Sequence, residues 1–386
     1  LIKIIKGCDV FTPQFIGKKD ILLIGDKIGK IEENINISGV ELEIIDAKEK
    51  MVFPGFIDSH VHITGGGGEG GFITRTPEID LKEIIKGGIT TIVGTLGTDG
   101  ITRSLENLYA KAKALEEYGI TTFIYTGSYR IPPINFSGSI MKDIILIDKV
   151  IGVGEIAISD HRSSSPTFEE IKRIVADARV AGMISNKAGI VNFHLGDGKE
   201  GLRYLFEIIE KTEIPISNLY PTHINRNPIL FEEGILFAKK GGFIDLTTSS
   251  DPKFYKEGEI KPSKALKISI EKEIVDHVTF TSDGQGSLPK FDEKGNYCGL
   301  KVGSVIFLYN EVMDAILEEK IPIEIALKVI TSNPAKILKL RNKGYIKEGY
   351  DADLTIVNKD FQIDTVIAKG NILMKDGEIL IKELFK

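Results

Sequence analysis

Between residues 56 and 282 the chain repeats one motif, a short apolar run followed by a stretch with helical periodicity, and this constrains the fold most. The runs cover 56–62, 90–95, 121–126, 151–158, 190–194, 219–223, 243–247 and 278–282, with helical stretches over 79–86, 104–118, 167–180 and 231–240. Such alternation predicts a parallel sheet with crossover helices. Eight runs is the number that closes a (β/α)8 barrel. The predicted class is α/β, a TIM-like barrel over 51–345. The ends read differently. Asp20-Ile-Leu-Leu-Ile-Gly-Asp-Lys-Ile-Gly-Lys, Ala352-Asp-Leu-Thr-Ile-Val and Thr365-Val-Ile-Ala-Lys-Gly-Asn-Ile-Leu-Met-Lys alternate apolar and polar residues around glycine turns. That is antiparallel strand pattern, and it predicts a small β-sandwich domain formed by both termini, 1–50 plus 346–386.

Composition sets bounds on function. At 386 residues and 42% hydrophobic there is material for a large barrel and an accessory domain. A net charge of −6 argues against nucleic acid as a partner. No apolar run approaches the roughly 20 residues of a membrane span, so no membrane is expected. Cys8 and Cys298 make neither a disulfide framework nor a metal motif. The first residues lack the parts of a secretory signal. The expectation is a reduced, cytoplasmic protein.

Active sites of such barrels form at the C-terminal ends of the strands. There the first run carries His60 and His62, one residue apart. On a strand, i and i+2 share a face, so both imidazoles aim at one point. The fourth run carries Glu155, the fifth His194, the sixth His223, and Asp283 follows the eighth. Four imidazoles and two carboxylates suit zinc and similar divalent ions. Six side chains exceed one tetrahedral ion and suit two ions about 3.5–4 Å apart, bridged by a carboxylate and a hydroxide. His161 and His277 fit no ligand pattern.

With these residues in place, the chain resembles the amidohydrolase superfamily, and within it the β-aspartyl (isoaspartyl) dipeptidases. The segments that carry the resemblance are Pro-Gly-Phe-Ile-Asp-Ser-His-Val-His, Gly65-Gly-Gly-Gly-Glu69-Gly, Leu-Gly-Thr98-Asp, Ile-Ser-Asp-His-Arg162-Ser, Phe-His194-Leu-Gly-Asp, Pro-Thr-His223-Ile-Asn-Arg226-Asn and Ser-Asp283-Gly-Gln-Gly-Ser287. The likeness implies a metal-dependent hydrolase barrel whose bridging hydroxide cleaves the isopeptide bond of β-aspartyl dipeptides. It implies that His60 and His62 hold one metal and His194 and His223 the other. Asp283 would ligate the first ion and handle protons, and Tyr129 would polarise the scissile carbonyl. Gly67, Glu69, Thr98, Arg162, Arg226 and Ser287 would hold the dipeptide. A homo-oligomer, an octamer, is also implied.

One position departs from the family pattern. A carboxylated lysine normally bridges the metals, and the matching residue here is Glu155. Its carboxyl carbon lies roughly 3–4 Å nearer its own Cα. The preceding Ile-Gly152-Val-Gly154 is one residue longer than the family pattern. A bulge there would push Glu155 toward the centre. Three rival readings share parts of this core: a hydrolase of cyclic or N-acyl amides such as a dihydropyrimidinase or deacylase, a mononuclear deaminase, and a barrel scaffold that has lost catalysis. Cyclic amides lack the free ammonium that Glu69 would bind, and a scaffold would have shed ligands that this chain retains.

Overall fold

Residues 2–292 and 297–381 are described by a computed structural model of the chain. The N-terminal alternation forms five strands, β1 (Ile2–Phe11), β2 (Phe15–Ile24), β3 (Lys27–Glu32), β4 (Glu43–Asp46) and β5 (Met51–Pro54). The eight apolar runs follow as β6 (Phe56–Val61), β7 (Ile89–Gly94), β8 (Thr121–Thr126), β9 (Val150–Ile158), β10 (Ile190–Leu195), β11 (Leu219–Thr222), β12 (Ile244–Thr247) and β13 (Val278–Thr281). A hairpin of β14 (Ser287–Phe291) and β15 (Tyr297–Val302) comes next. The last strands are β16 (Leu354–Val357), β17 (Ile363–Ala368), β18 (Asn371–Lys375) and β19 (Glu378–Ile379).

β6 to β11 form one parallel sheet in chain order, and β12 pairs in parallel with β13. A parallel bridge from Val61 to Gly284 and a bond from His62 N to Gly284 O (2.9 Å) tie the end of β13 back to β6. The expected helices are present as Leu81–Lys86, Leu105–Glu117, Phe168–Ser185 and Pro228–Lys239. Side-chain caps from Asp80, Ser104, Thr167 and Asn227 open them. No helix is long and apolar enough to cross a membrane among the described residues.

Strands from both ends share one nine-stranded sheet, ordered β19-β18-β17-β16-β5-β1-β2-β3, with β4 beside β1. β5 belongs here: it pairs with β1 and β16, and Pro54-Gly55 separates it from β6. The apolar run that begins at Met51 therefore splits between two sheets. Ile5, Val10, Ile21, Leu23, Val52 and Ile356 build a core of their own under the terminal sheet.

Inside the parallel strands the residues beneath the site are polar and bonded to one another. Asp245 accepts from Thr222 (2.5 Å), Thr281 (2.6 Å) and Thr279 (2.8 Å). The Tyr220 hydroxyl bonds Ser59 (2.8 Å) and Thr279 (2.7 Å), and Asn192 donates to Tyr220 O (3.1 Å). Each contact joins different strands, so this buried layer fixes their relative height. Its hydroxyl donors also satisfy a carboxylate that burial otherwise penalises.

β9 carries one residue more than its neighbour. Val191 pairs with Val153 and Phe193 with Ile156, so three steps on β9 oppose two on β10. The surplus falls at Gly154 and Glu155 and makes a β-bulge. Glycine is required at the approach: a Cβ on Gly154 would lie 2.9 Å from Asn192 Cβ. Gly154→Ala is therefore expected to cost about 1–3 kcal/mol by overpacking. The measurement is urea denaturation, read as a lower midpoint at constant slope. An unmoved midpoint would show that β10 yields without cost.

Candidate metal centre

The bulge delivers Glu155 to the centre of four histidines. Its Oε2 lies 3.0 Å from His194 Nδ1, 3.4 Å from His60 Nε2 and 3.8 Å from His223 Nε2, while Oε1 lies 3.4 Å from His62 Nε2. Two ligand groups result, His60-His62-Glu155 and Glu155-His194-His223, all buried and sharing the one carboxylate. Asp283 adds its Oδ1 at 3.1 Å from His62 Nε2 and 3.6 Å from His60 Nε2. Backbone turns aim two of these ligands: His223 and Asp283 both take left-handed φ values, 63° and 50°.

Among these atoms His60 Nε2, Glu155 Oε1 and Asp283 Oδ1 are buried without a hydrogen-bond partner among the described residues. Native structures rarely leave such groups unsatisfied. Divalent cations placed among them would satisfy all three, so the donor set fits a metal centre. Gly97 leaves room beside it, since a Cβ there would stand 2.9 Å from His62 Cε1.

The far side of several rings is also held. His60 Nδ1 bonds Asn192 Oδ1 (3.0 Å), and His223 Nδ1 bonds Thr247 Oγ1 (2.5 Å). His194 Nε2 faces Asp160 Oδ2 at 3.1 Å. These partners fix ring orientation and leave one nitrogen of each ring for the centre. Asp160, Asn192 and Thr247 escaped the sequence reading. Asp160 stood two residues before Arg162 in a quoted motif, and that adjacency was the one usable signal.

Charge follows from this packing. Burial works to lower the His60 imidazolium, yet Glu155 and Asp283 beside it carry the ring up to about 10. Burial works to raise Glu155, and the facing His60, His194 and His223 rings hold it well below the usual carboxylate range. Burial raises Asp283 too, but His62 keeps it at about 2. His223 is pushed down to about 3 by its own burial and by His194. Both carboxylates and His223 are thus in ligating form at neutral pH, and His60 carries a proton that a metal must displace.

The remaining predicted residues open onto one cavity of about 520 Å3, lined also by His62, His194, His223 and Asp283. Tyr129 is buried there with its hydroxyl 2.8 Å from His194 Nδ1. Glu69 accepts from Thr98 Oγ1 (2.9 Å) and stands 3.5 Å from Arg162 Nη1. Arg162 is gripped by Asp160 through Nε (3.0 Å) and Nη2 (2.8 Å) and covers the Tyr129 ring at 5.3 Å. Arg226 lies 4.0 Å from Asp197. Gly67 and Ser287 line the same wall. Behind it the buried Arg103 donates to the carbonyls of Thr64, Gly66 (2.9 Å) and Thr76 (2.8 Å), ordering the glycine run. His161 also lines the cavity, with its ring 89% exposed. His277 packs on Phe243 (5.2 Å) and lines no part of that cavity.

Comparison with known proteins gives the following. The amidohydrolase family model matches residues 51–373. A crystal structure of β-aspartyl dipeptidase from the thermophilic keratin degrader Fervidobacterium islandicum AW-1, in complex with β-Asp-Leu dipeptide, is 57% identical, with 100% of both chains covered and a TM-score of 0.92. A second structure of β-aspartyl dipeptidase from that organism is 55% identical over 100% of both chains, again with a TM-score of 0.92. Dihydroorotase from Staphylococcus epidermidis is 31% identical over 116 residues, 30% of this chain. The match spans 27% of the length of that curated relative.

Two measurements probe the centre. Asn192→Ala and Thr247→Ala are each expected to weaken zinc binding about 10–100-fold, in competition with a chromophoric chelator. Unchanged affinity would show that the rings hold themselves. Titrating zinc into the metal-free protein at pH 8.5 should release about one proton from His60, because its raised pKa keeps it charged there. The sign follows: metal binding weakens as pH falls. Calorimetric enthalpies that do not change with buffer ionisation heat would refute the charged His60.

Proposed function

The chain belongs to the amidohydrolase family, among its β-aspartyl dipeptidases, and we propose that it hydrolyses the isopeptide bond of β-aspartyl dipeptides at a two-metal centre. The observation that carries this reading is that one cavity joins both ligand groups to an acidic anchor and two arginines. We read β6 to β13 as one closed eight-stranded barrel, with the Val61–Gly284 bridge as its seam. The chain then divides into 51–345 and a terminal β-domain, 1–50 plus 346–386, folded as a small sandwich, to which the barrel segment lends β5.

In this reading His60 and His62 would hold one ion and His194 and His223 the other, with Glu155 shared between the two ligand groups and Asp283 beside the first. Zinc suits the nitrogen and oxygen donors. Bound there, two divalent ions supply a water ionised near neutral pH and a polarised carbonyl. The chain's own residues do the rest. Asp283, held ionised, accepts the water proton and passes it to the departing amine. Burial keeps Tyr129 protonated far above neutral pH, so its hydroxyl donates to the carbonyl oxygen as negative charge grows there. Water oxygen bonds to the side-chain carbonyl carbon of aspartate, the C–N bond breaks, and the amine leaves with the transferred proton. Products are aspartate and a free amino acid.

Recognition uses the charges of the dipeptide, one ammonium and two carboxylates. Glu69 takes the ammonium, with Thr98 beside it. Arg162 and Arg226 take the carboxylates, a task for the guanidinium fork. Ser287 and the Gly67 backbone add neutral bonds. On the family resemblance alone, we read the enzyme as a cytoplasmic homo-oligomer.

Chelation should abolish hydrolysis of β-Asp-Leu, followed as released leucine, and zinc should restore it without added bicarbonate. Glu155→Gln should lower kcat by about 100-fold or more. A two-metal protein that leaves β-Asp-Leu intact while opening dihydrouracil would overturn the dipeptidase reading in favour of a cyclic-amide hydrolase.

A further inference from the structure

The cavity has two polar ends set apart by the order of the sheet. Glu69 and Thr98 follow β6 and β7, at one edge, and Arg226 follows β11, at the other. Glu155 and His194 stand on β9 and β10 between them. If the β-aspartyl ammonium sits at Glu69, the departing residue extends toward Arg226 and the segment after β12.

We propose, resting on the dipeptidase reading, that this second end selects the residue after β-aspartate and that Glu259 makes a basic side chain, lysine or arginine, the preferred one. The wall there is built for a long amphipathic side chain. Phe254, on the helix after β12, lines the cavity there, and Leu288 and Pro289 line the same cavity; all three offer apolar contact to a methylene stem. Ser249 lines the cavity as well, with a buried hydroxyl that has no partner among the described residues. Glu259 lies beyond, partly buried, beside Ser250.

Glu259 is short of a cation. Among the described residues no lysine, arginine or histidine lies within 4.0 Å of its carboxylate, whereas neighbouring Glu257 has Lys253 at 3.4 Å. Burial pushes the Glu259 carboxyl up to about 7, with Ser250 and Arg226 working against the rise and Asp197 and Glu311 adding to it. Arg226 is a cation whose charge acts on Glu259, and in the proposed bound state Arg226 is engaged by a substrate carboxylate. A substrate ammonium or guanidinium then supplies the missing positive charge. A glutamate side chain in the same place would add a further carboxylate against Glu259 and Asp197.

The test compares kcat/KM for β-Asp-Lys, β-Asp-Leu and β-Asp-Glu on the metal-loaded protein and its Glu259→Gln variant. Calorimetric binding of free L-lysine, L-leucine and L-glutamate to both proteins accompanies it. Wild type is expected to favour β-Asp-Lys over β-Asp-Glu by about tenfold or more, the scale of one charge-assisted hydrogen bond. In Glu259→Gln the lysine-to-leucine ratio should fall by a similar factor, with L-lysine binding weakened in parallel. Equal ratios in both proteins, with β-Asp-Leu turned over, would overturn this inference alone. Failure to turn over β-Asp-Leu at full metal content would instead overturn the dipeptidase reading. Glu257→Lys, on the exposed neighbour, keeps the test open should Glu259→Gln not fold: the lysine-to-glutamate ratio should fall, and a constant ratio would count against the proposal.

Discussion

Everything at this site turns on one buried carboxylate. Glu155 faces four imidazoles at 3.0–3.8 Å from three strand ends, those of β6, β10 and β11. A lone carboxylate at that depth would be protonated, because burial penalises the charge. The surrounding rings reverse that penalty, and in return the carboxylate holds His60 protonated until a cation arrives. Metal affinity and local charge balance are thus one problem, solved by the same five side chains. The unpartnered atoms His60 Nε2, Glu155 Oε1 and Asp283 Oδ1 show how incomplete the cluster is by itself.

The strand ends can meet only because the layer beneath them is rigid. Asp245, Thr222, Thr279, Thr281, Tyr220, Ser59 and Asn192 bond across six contacts and lock strand heights. Asn192 then reaches upward to His60. An apolar layer would fill the same volume, but it would not set the hydrogen-bonding direction of an imidazole. Fixing the tautomer of His60 and the orientation of His223 requires a polar neighbour. The polar floor and the metal ligands form one continuous structure.

Much of this was legible in the chain, and the illegible parts share a cause. The eight runs stand out because strand and helix periods differ, and His60-x-His62 reads as a shared face because strand side chains alternate. The surplus residue at Gly154 could be counted against a family pattern, and β9 carries it as a bulge. Asn192, Thr247 and Asp160 carry no such mark. Each sits in or just after an ordinary strand, and its importance comes from a ring 24 to 132 positions away in sequence. The floor was hidden likewise, since a threonine on a strand reads as good strand propensity whether or not it faces a carboxylate. β5 lies inside the 51–345 segment yet joins the terminal sheet, because Pro54-Gly55 separates it from β6, and periodicity alone does not show which sheet a four-residue apolar run enters.

The substitution at Glu155 illustrates how backbone and side chain trade length. A carboxylated lysine reaches the metals from an ordinary strand and depends on carbon dioxide to acquire its charge. Glutamate brings a permanent carboxylate but falls short by roughly 3–4 Å. A side chain cannot be stretched, so the backbone must move, and one inserted residue beside glycine is the smallest change that moves it. That shift carries a packing constraint, visible where Gly154 abuts Asn192 so closely that no Cβ fits. Asn192 orients His60, which faces Glu155 across the centre. The bulge, the glycine, the asparagine and the carboxylate shared by both ligand groups therefore form a closed loop of dependencies. Replacing Glu155 by lysine alone would carry the longer side chain past the centre of the four rings, because the bulge has already moved the backbone inward. Recovery would need the surplus residue removed at the same time.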